Sequence, residues 1–327
     1  MNHPAFPLTR RSVLAAIAAT ALPAALHAQP AWPARPVRVV VPSSPGGGTD
    51  VFGRTLAQAL TEQTGQSFVV DNKPGASGNI GADIVAKSEP DGYTILVASN
   101  SSLGINPSLY KTMPFDIDRD LQAISRGVMA PMVVVASPAT GWKTLKDMID
   151  AGKREPGKFF YGSAGVGSPV YMGVRMIEEV SGAKFTHVPY KGVAPAYQDL
   201  LSGRLQFMFT DLASIDQHIK AGKVLALAVN QKTPLLPGVP TLEEAGVQGV
   251  QAWTSFSVMA PAKVPAAIVN RLGEEVHKAL ANPAVAQRLE KQALIPVIDT
   301  PETFAADLRK ERQHWGEFIK RNNITPD

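Results

Sequence analysis

Residues 41–56 read VPSSPGGGTDVFGRTL, and their pattern is the strongest indication of the architecture. This stretch begins at the end of an apolar run, VRVVV, that predicts a buried strand. Three consecutive glycines follow, and apolar residues then recur at Phe52, Leu56 and Leu60 with the spacing of one helix face. A strand, a glycine turn and a helix in this order are typical of phosphate sites, nucleophile elbows and carboxylate sites.

The same order recurs in FFYGSAGVGSPVYMG, residues 159–173. Because open parallel sheets bind ligands at the carboxyl ends of their strands, two such units predict one binding loop in each of two lobes that share a cleft. We call residues 42–50 the first glycine loop and residues 163–168 the second glycine loop. β-Branched runs alternate with helical patterns elsewhere, which predicts α/β layers with parallel strands. The predicted strands are 37–41, 68–70, 94–97, 132–136, 159–161, 185–188, 207–209 and 225–229, and the predicted final helices carry Ile268, Leu272, Val276 and Leu280, and then Phe304, Leu308, Trp315 and Ile319.

The glycine loops do not match nucleotide-binding or nucleophile motifs. Thr49 and Asp50 stand where a P-loop needs lysine, and a carboxylate there would repel a triphosphate. Val51 occupies the third glycine position of the dinucleotide fingerprint. A nucleophile elbow around Ser163 would need glycine where Tyr161 stands. We therefore expect no catalytic residues and no cofactor.

An acidic stretch, DIDRD at residues 116–120, has the opening acids of a calcium loop. Leu121 takes the place of the glycine at the sixth position, and Gly127 takes the place of the bidentate acid. We expect a solvated surface loop and no metal site.

The remaining interpretation is a pair of anion-binding loops. A helix N-terminus leaves its first N–H groups unpaired at the positive end of the helix dipole, and glycines let those groups approach a ligand closely. Two such loops could hold a small mono- or dicarboxylate without any arginine. The alternative is that the glycines only permit tight turns, with Thr49 or Asp50 as an N-cap. Hydroxyl donors would come from Ser43, Ser44, Thr49, Ser163 and Ser168.

Residues 1–28 have the layout of an export signal peptide. Arg10 and Arg11 precede an apolar run that is too short to span a bilayer, and Ala28 provides a small residue for cleavage. The stretch TRRSVLA also resembles a twin-arginine signal, although Val13 and Ala15 replace its usual Phe and Lys. We expect a periplasmic protein, with the export route open between general secretion and the twin-arginine pathway.

Composition restricts the class of protein further. Hydrophobic residues make up 45% of the chain and charged residues 18%, as in ordinary globular proteins. With no cysteine there is neither a disulfide nor the residue that anchors a lipoprotein. The formal net charge is only +4, two of it from the leader arginines, and no basic stripe with interleaved aromatics occurs, so we expect no nucleic-acid partner. No later apolar segment is long enough to span a membrane.

The mature chain resembles the Bug-type solute-binding proteins of tripartite tricarboxylate transporters over nearly its whole length. The resemblance implies a two-lobed α/β fold of type II periplasmic binding proteins, the Venus flytrap, with a ligand cleft between the lobes. It also implies capture of a small carboxylate (a di- or tricarboxylate, an aromatic acid or an acidic amino acid) for two membrane permease subunits. The matching stretches are WPARPVRVVVPSSPGGGTD, VVDNKPGASGNIGADIVAKSEPDGYTILVAS, INPSLY, THVPYKGVAPAYQDLLSGRLQFMF, HIKAGKVLALAV and LPGVPTLEEAG.

Carried over by position, the resemblance places ligand-binding residues in both lobes. Those of the first lobe are Ser43, Pro45, Gly46, Gly47, Gly48, Thr49, Asp50, Ser99 and Asn100. Those of the second are Ser163, Ala164, Gly165, Gly167, Ser168, Tyr190 and Asp211. We expect valine at Gly47 to obstruct the ligand while leaving the lobes folded.

Three positions depart from the family pattern. Ser43 stands where Phe is common, and Asp211 places a carboxylate one position later than the usual FDN. Residues 255–257, SFS, stand where an aromatic pair followed by glycine is usual. These changes predict a more polar pocket, and whether Asp211 pairs with an amino group of the ligand stays open.

The expected architecture is lobe one at residues 33–131 plus 255–327 and lobe two at residues 132–254, with hinges near Pro131 and Thr254. We expect a monomer that closes on its ligand without any covalent step. Three alternatives stay open: a binder of the same fold that feeds a sensor kinase, an exported hydrolase using Ser163 or Ser168, and a structural module without a ligand.

Overall fold

The computed structural model describes residues 32–326, which form two α/β lobes, each built on one mixed sheet. The predicted leader, residues 1–28, lies outside the described residues. The strands are β1 (Val37–Val41), β2 (Phe68–Asn72), β3 (Thr94–Ser99), β4 (Leu121–Ala130), β5 (Met132–Ala136), β6 (Phe160–Ser163), β7 (Thr186–Pro189), β8 (Phe207–Asp211), β9 (Leu225–Val229), β10 (Thr254–Pro261) and β11 (Ile295–Val297). The first sheet has the order β11-β4-β10-β3-β1-β2, and the second has the order β7-β6-β8-β5-β9.

Helices connect these strands and cover both sheets. The α-helices are α1 (Gly48–Thr64), α2 (Asn79–Ala86), α3 (Asn106–Leu109), α4 (Ile117–Asp120), α5 (Leu145–Arg154), α6 (Pro169–Ser181), α7 (Val193–Leu201), α8 (Leu212–Lys220), α9 (Ala266–Ala281), α10 (Pro283–Lys291) and α11 (Pro301–Arg321). Short 3-10 turns occupy Ala76–Gly78 and Pro138–Thr140, and a π-helical turn occupies Ser101–Ile105.

The apolar runs of the central strands are explained by burial on both faces. In β1, Val39 belongs to one hydrophobic core and Val40 to another on the opposite side of the sheet. In β5, Val133 and Val134 divide between two cores in the same way. Because successive side chains of a strand point to opposite faces, a strand with both faces covered needs apolar residues throughout.

Strand direction corrects the prediction of parallel layers. β1 is parallel to β2 and β3, and β6 is parallel to β7 and β8. However, β10 is antiparallel to β3 and β4, and β5 is antiparallel to β8 and β9. The reason is that the chain enters the second lobe through β5 and returns through β10, so these strands do not belong to strand–helix–strand repeats.

The two passages between the sheets lie side by side. β4 ends at Ala130 and β5 begins at Met132, while Thr254, the first residue of β10, pairs with Ala130. The chain thus crosses at Pro131 and crosses back just before Thr254. The assignment of whole segments to each lobe, divided at residues 131 and 254, stays a prediction.

Helix α11 packs against both lobes. Phe304 and Leu308, near its start, lie in a hydrophobic core of the first lobe. Trp315 and Phe318, about two to three turns further on, lie in a core that contains residues of β5, β6 and β8. The final helix therefore runs alongside the crossing strands and contacts both sides of them.

Candidate ligand-binding cleft

A cavity of about 520 Å³ lies between the lobes. This size falls within the range of about 300–1,000 Å³ that is usual for small-molecule sites. The residues that line it are Pro42, Ser43, Gly47, Gly48, Thr49, Pro74, Gly75, Ala76, Ser77, Gly78, Ser99, Ser101, Tyr110, Ala164, Gly165, Val166, Ser168, Pro169, Val170, Pro189, Tyr190, Lys191, Gly192, Val193, Asp211, Thr254 and Phe256.

The N-caps of five helices lie on the cavity wall. Three of them, Gly47 of α1, Gly78 of α2 and Gly192 of α7, have no side chain that could cap the helix. The other two, Ser168 of α6 and Asp211 of α8, accept hydrogen bonds from their own helices. Because each helix N-terminus carries partial positive charge, their convergence makes the cavity favourable for an anion.

Unpaired backbone N–H groups face this space from both lobes. The N–H groups of Gly48 and Thr49 in α1 donate to no atom of residues 32–326. The same holds in the second lobe for Val193 and Ala194, the first two residues of α7. The first N–H groups of a helix have no partner within the helix, and Gly48, Thr49 and Val193 line the cavity, so their N–H groups are open to an acceptor from outside the chain.

Asp50 holds the first glycine loop in place from behind. It does not line the cavity; its carboxylate accepts hydrogen bonds from Gly46 N, Arg54 Nε and Asn72 Nδ2, each at 2.9 Å. Burial acts to raise the pKa of Asp50, but the hydrogen bonds from Arg54, Gly46 and Asn72 outweigh it and hold the pKa below its ordinary value. The ionised Asp50 therefore fixes the position of Gly46. The φ of Gly46 is +84°, in the left-handed region that glycine adopts most readily.

The second glycine loop is held together by its serines. Ser163 is completely buried, and its Oγ lies 2.6 Å from Nε2 of His187 and 3.1 Å from the backbone N and O of Gly165. Ser168 Oγ donates to Gly165 O at 2.7 Å and accepts from Tyr171 N at 3.2 Å. Neither Ser163 nor the half-buried His187 lines the cavity, so the pair is not on the surface that a ligand in the cavity would contact.

Asp211 lies at the end of β8, on the second-lobe wall of the cavity. Its side chain is 5% exposed, and its Oδ1 accepts hydrogen bonds from Ser214 N at 2.9 Å and Ser214 Oγ at 2.6 Å. Burial raises the pKa of this carboxyl above its ordinary value, although the bonds from Ser214 oppose the change. Across the cleft, a Cβ placed on Gly48 would lie 2.5 Å from Oδ1 of Asp211 and 2.6 Å from Cζ of Phe256.

The lobes also touch at the edges of the cavity. Ser44 Oγ donates to Lys191 O at 2.7 Å, and Ser77 Oγ donates to Ala164 O at 3.2 Å. Both acceptors are backbone carbonyls of the opposite lobe. These hydroxyls of the first lobe thus contact the backbone of the second-lobe loops and not their side chains.

The structure brings most of the predicted site residues to the cavity. Those that line it are Ser43, Gly47, Gly48, Thr49, Ser99, Ala164, Gly165, Ser168, Tyr190 and Asp211. Those that do not line it are Pro45, Gly46, Asp50, Asn100, Ser163 and Gly167. Asn100 instead donates to Glu311 Oε1 and to Trp253 O, and Gly167 lies so close to Oδ1 of Asn106 that a side chain would overlap it.

A third glycine loop, residues 74–78, lines the cavity and was not predicted as part of the site. Its sequence, PGASG, follows β2 and precedes α2, which is the strand–glycine–helix order used to find the other two. That order was therefore available in the sequence. Lys191, Gly192 and Val193 also line the cavity, although only Tyr190 of this stretch was predicted as a ligand-binding residue.

Within residues 32–326, no group of three histidine or acidic side chains is arranged to hold a metal ion. In the same part of the chain, no helix combines the length and apolar character needed to cross a membrane.

The model of the tripartite tricarboxylate transporter family receptor matches residues 52–324. The chain belongs to this receptor family. Among curated relatives, the protein BugT of Bordetella pertussis is 34% identical over 312 residues, which cover 94% of this chain and 96% of BugT.

Solved structures of similar proteins match the two-lobed receptor fold. The structure of R. palustris Rpa4515 with adipate has 32% sequence identity and a TM-score of 0.88, covering 90% of this chain and 100% of the other. MatC from Rhodopseudomonas palustris with bound malate has 27% identity and a TM-score of 0.83, and the match covers 88% of this chain and 100% of MatC. The receptor therefore has the two-lobed α/β fold of periplasmic binding proteins, and two structures that it resembles hold dicarboxylates.

Proposed function

We propose that this receptor is an extracytoplasmic solute-binding protein that captures a small carboxylate in the interlobe cavity. The observation that carries the proposal is that Gly48 and Thr49 of one lobe and Val193 of the other line the same cavity with unpaired N–H groups, and that the unpaired N–H of Ala194 follows directly after Val193. Each charge-assisted hydrogen bond contributes about 1.5–3 kcal/mol, and a helix dipole adds about 0.3–2 kcal/mol. A carboxylate can therefore be held without an arginine.

The mechanism that follows is closure. The ligand docks on the loops of one lobe, the other lobe closes over it, and water leaves the carboxylate. The predicted residues that line the cavity bind the ligand, while Asp50, Asn100 and Ser163 hold the loops in position. The adipate and malate in similar proteins support a carboxylate of this size.

In the cell, this monomeric receptor would work outside the cytoplasmic membrane. The leader would be cleaved near Ala28 to release it into the periplasm, after general secretion or twin-arginine export. The closed form would then deliver its ligand to two permease subunits of a tripartite tricarboxylate transporter. Membership of the receptor family supports this partner over a sensor kinase.

We propose binding without catalysis. None of the histidines within residues 32–326 lines the cavity. Ser168 therefore has no histidine beside it in the cavity to act as a general base. Ser163 does have a histidine partner, but it is fully buried and away from the cavity. These placements argue against the hydrolase alternative.

A thermal-shift screen of di- and tricarboxylates, aromatic acids and acidic amino acids tests the proposal. At a ligand concentration of 100 Kd, the free energy of unfolding should rise by about 2.7 kcal/mol, and Tm by several degrees. The bound ligand should be recovered chemically unchanged, as measured by NMR. Absence of any shift across the panel would contradict ligand capture, and turnover of the ligand would favour an enzyme.

A further inference from the structure

Asp211 places a carboxyl group, which carries a negative charge when ionised, on the wall of a cavity whose other features favour an anion. Its carboxylate is buried, lines the cavity and forms no ion pair with any lysine or arginine of residues 32–326. Both hydrogen bonds that it accepts from Ser214 go to Oδ1. No hydrogen bond from another residue of 32–326 reaches Oδ2, so it is open to a donor from a ligand.

The other ionisable groups of the cavity do not neutralise this charge. They are Lys191, Tyr110 and Tyr190. Lys191 is exposed, and its backbone carbonyl, rather than its ammonium group, makes the contact across the mouth. Tyr190 donates its hydroxyl hydrogen to Asp199 at 2.7 Å.

Capping a helix does not explain why the residue is an aspartate. Asp211 is the N-cap of α8, but asparagine and serine cap helices about as well and carry no charge. A second carboxylate of a ligand would be repelled by Asp211 at close range, where burial strengthens the interaction between charges. A positively charged donor would instead be attracted.

The position of Asp211 relative to α1 indicates which kind of ligand could supply the positively charged donor. Its Oδ1 lies 2.5 Å from where a Cβ on Gly48 would be, so the carboxylate is beside the unpaired N–H groups of Gly48 and Thr49. A negative group and a positive group of the ligand must then lie close together. The carboxylate and ammonium of an α-amino acid, which are attached to one carbon atom, meet this requirement.

We propose that the ligand is an α-aminocarboxylate, whose carboxylate accepts hydrogen bonds from Gly48 and Thr49 while its ammonium donates to Oδ2 of Asp211. This assignment rests on the proposed function and narrows its ligand class. A second acidic group of the ligand would be held by the N–H groups of Val193 and Ala194.

Matched ligand pairs that differ by one amino group test the assignment. Suitable pairs are aspartate and succinate, glutamate and glutarate, 2-aminoadipate and adipate, and phenylalanine and 3-phenylpropionate. Titration calorimetry on the full mature chain should show that, in the pair of the right length, the amino member binds at least tenfold more tightly. If plain carboxylates bind and their amino counterparts bind equally or more weakly, the assignment is overturned while the proposed function stands. If no member of any pair binds, both are contradicted for these ligand classes.

Asp211→Asn supplies the second test, because asparagine keeps the cap on α8 and removes the charge. We expect the amino ligand to bind about 10- to 100-fold more weakly, the loss expected for one charge-assisted hydrogen bond, and the plain ligand to bind at least as tightly as before. Asp211→Ser serves the same purpose if the asparagine variant does not fold. The control is Asp216→Asn, which removes another buried carboxylate of α8 outside the cavity lining and should leave the preference unchanged. An equal loss for both members of a pair in Asp211→Asn would assign Asp211 a purely structural role.

Discussion

At the scale of single residues, neighbouring glycines of the first loop have different steric surroundings. A Cβ on Gly47 would lie 3.5 Å or more from its nearest neighbours, which is ordinary contact, whereas one on Gly48 would meet Asp211 at 2.5 Å. The sequence predicts a glycine loop but does not distinguish these two positions, because the atoms that crowd Gly48 belong to Asp211 of the opposite lobe and to Phe256 of β10, both far away in the sequence. The expectation that a side chain at Gly47 obstructs binding therefore applies more strongly to Gly48.

Replacement of Gly48 by alanine should prevent the lobes from reaching the arrangement seen here. We expect carboxylate affinity to fall at least tenfold, and the free energy of unfolding to fall by about 1–3 kcal/mol, because the added Cβ also meets Cζ of the buried Phe256 in its own lobe at 2.6 Å. Calorimetry and urea unfolding measure the two quantities. Gly273→Ala in α9, where a Cβ meets nothing within 4 Å, is the control. Wild-type affinity in Gly48→Ala would mean that ligand binding does not need this close approach.

Asp50 illustrates what sequence can say about a loop residue. Its position beside the glycines suggested either ligand contact or an N-cap. The structure shows that it accepts hydrogen bonds from Gly46, Arg54 and Asn72. Asn72 comes from the next strand, so the pairing of β1 with β2 had to be known before this role could be assigned.

At the scale of elements, the strands found from sequence were the short apolar ones. Each of the eight predicted strands corresponds to an observed strand, and β1, β5 and β9 match to the residue. β4, β10 and β11 were not predicted. β4 contains Gly127 with a φ of +74°, β10 buries Ser255 and Ser257, and β11 has only three residues, so none of them has a regular apolar pattern.

The final helix was predicted from its apolar spacing, but its packing on both lobes was not. Glu311 lies in its middle, 7% exposed, and accepts hydrogen bonds from Asn100 Nδ2 at 2.6 Å and Trp315 Nε1 at 3.3 Å. Burial raises the pKa of Glu311 above its ordinary value of 4.5, although these hydrogen bonds oppose the rise. A polar residue on a helix gives no sequence signal for this environment, because the partners come from residues 100 and 315.

Glu311 should make the stability of the protein depend on pH. Because its pKa is raised on folding, the native state binds more protons than the unfolded state between pH 4.5 and the raised pKa, so stability falls as pH rises through this window. Glu311→Gln retains an oxygen that can accept both hydrogen bonds and should remove this loss, which amounts to at most about 1.4 kcal/mol per pH unit.

Urea unfolding at several pH values between 4.5 and 8 measures the difference between wild type and Glu311→Gln. Glu274→Gln, an exposed position on α9, should keep the wild-type profile. If the free energy of unfolding varied with pH in parallel for wild type and Glu311→Gln, Glu311 would have the same pKa in the folded and the unfolded state.

At the scale of the whole molecule, the repeated strand–glycine–helix unit correctly predicted two lobes that face one cleft. The contacts between the lobes could not be predicted from the sequence. They join hydroxyl groups to backbone carbonyls, and because every residue has a backbone carbonyl, the residue type does not indicate which one accepts. Ser44, for instance, was expected to donate to the ligand. It does not line the cavity and donates instead to Lys191 O.

Replacement of Ser44 by alanine should favour the open form of the molecule. Loss of one hydrogen bond costs about 0.5–1.5 kcal/mol, so we expect ligand affinity to fall about 2- to 12-fold. Small-angle X-ray scattering should give a larger radius of gyration without ligand and the wild-type value at saturation. Ser202→Ala removes a hydroxyl that bonds within the second lobe and serves as the control. An unchanged affinity would exclude this contact from the energetics of closure.

The five helix N-caps around the cavity have a consequence for how such receptors diverge. A pocket whose recognition groups are main-chain amides depends on the path of the backbone, and most substitutions leave that path intact. Sequence divergence can therefore replace about two thirds of the amino acids without dismantling the pocket. We expect a change of ligand specificity to begin at the few charged side chains that line it.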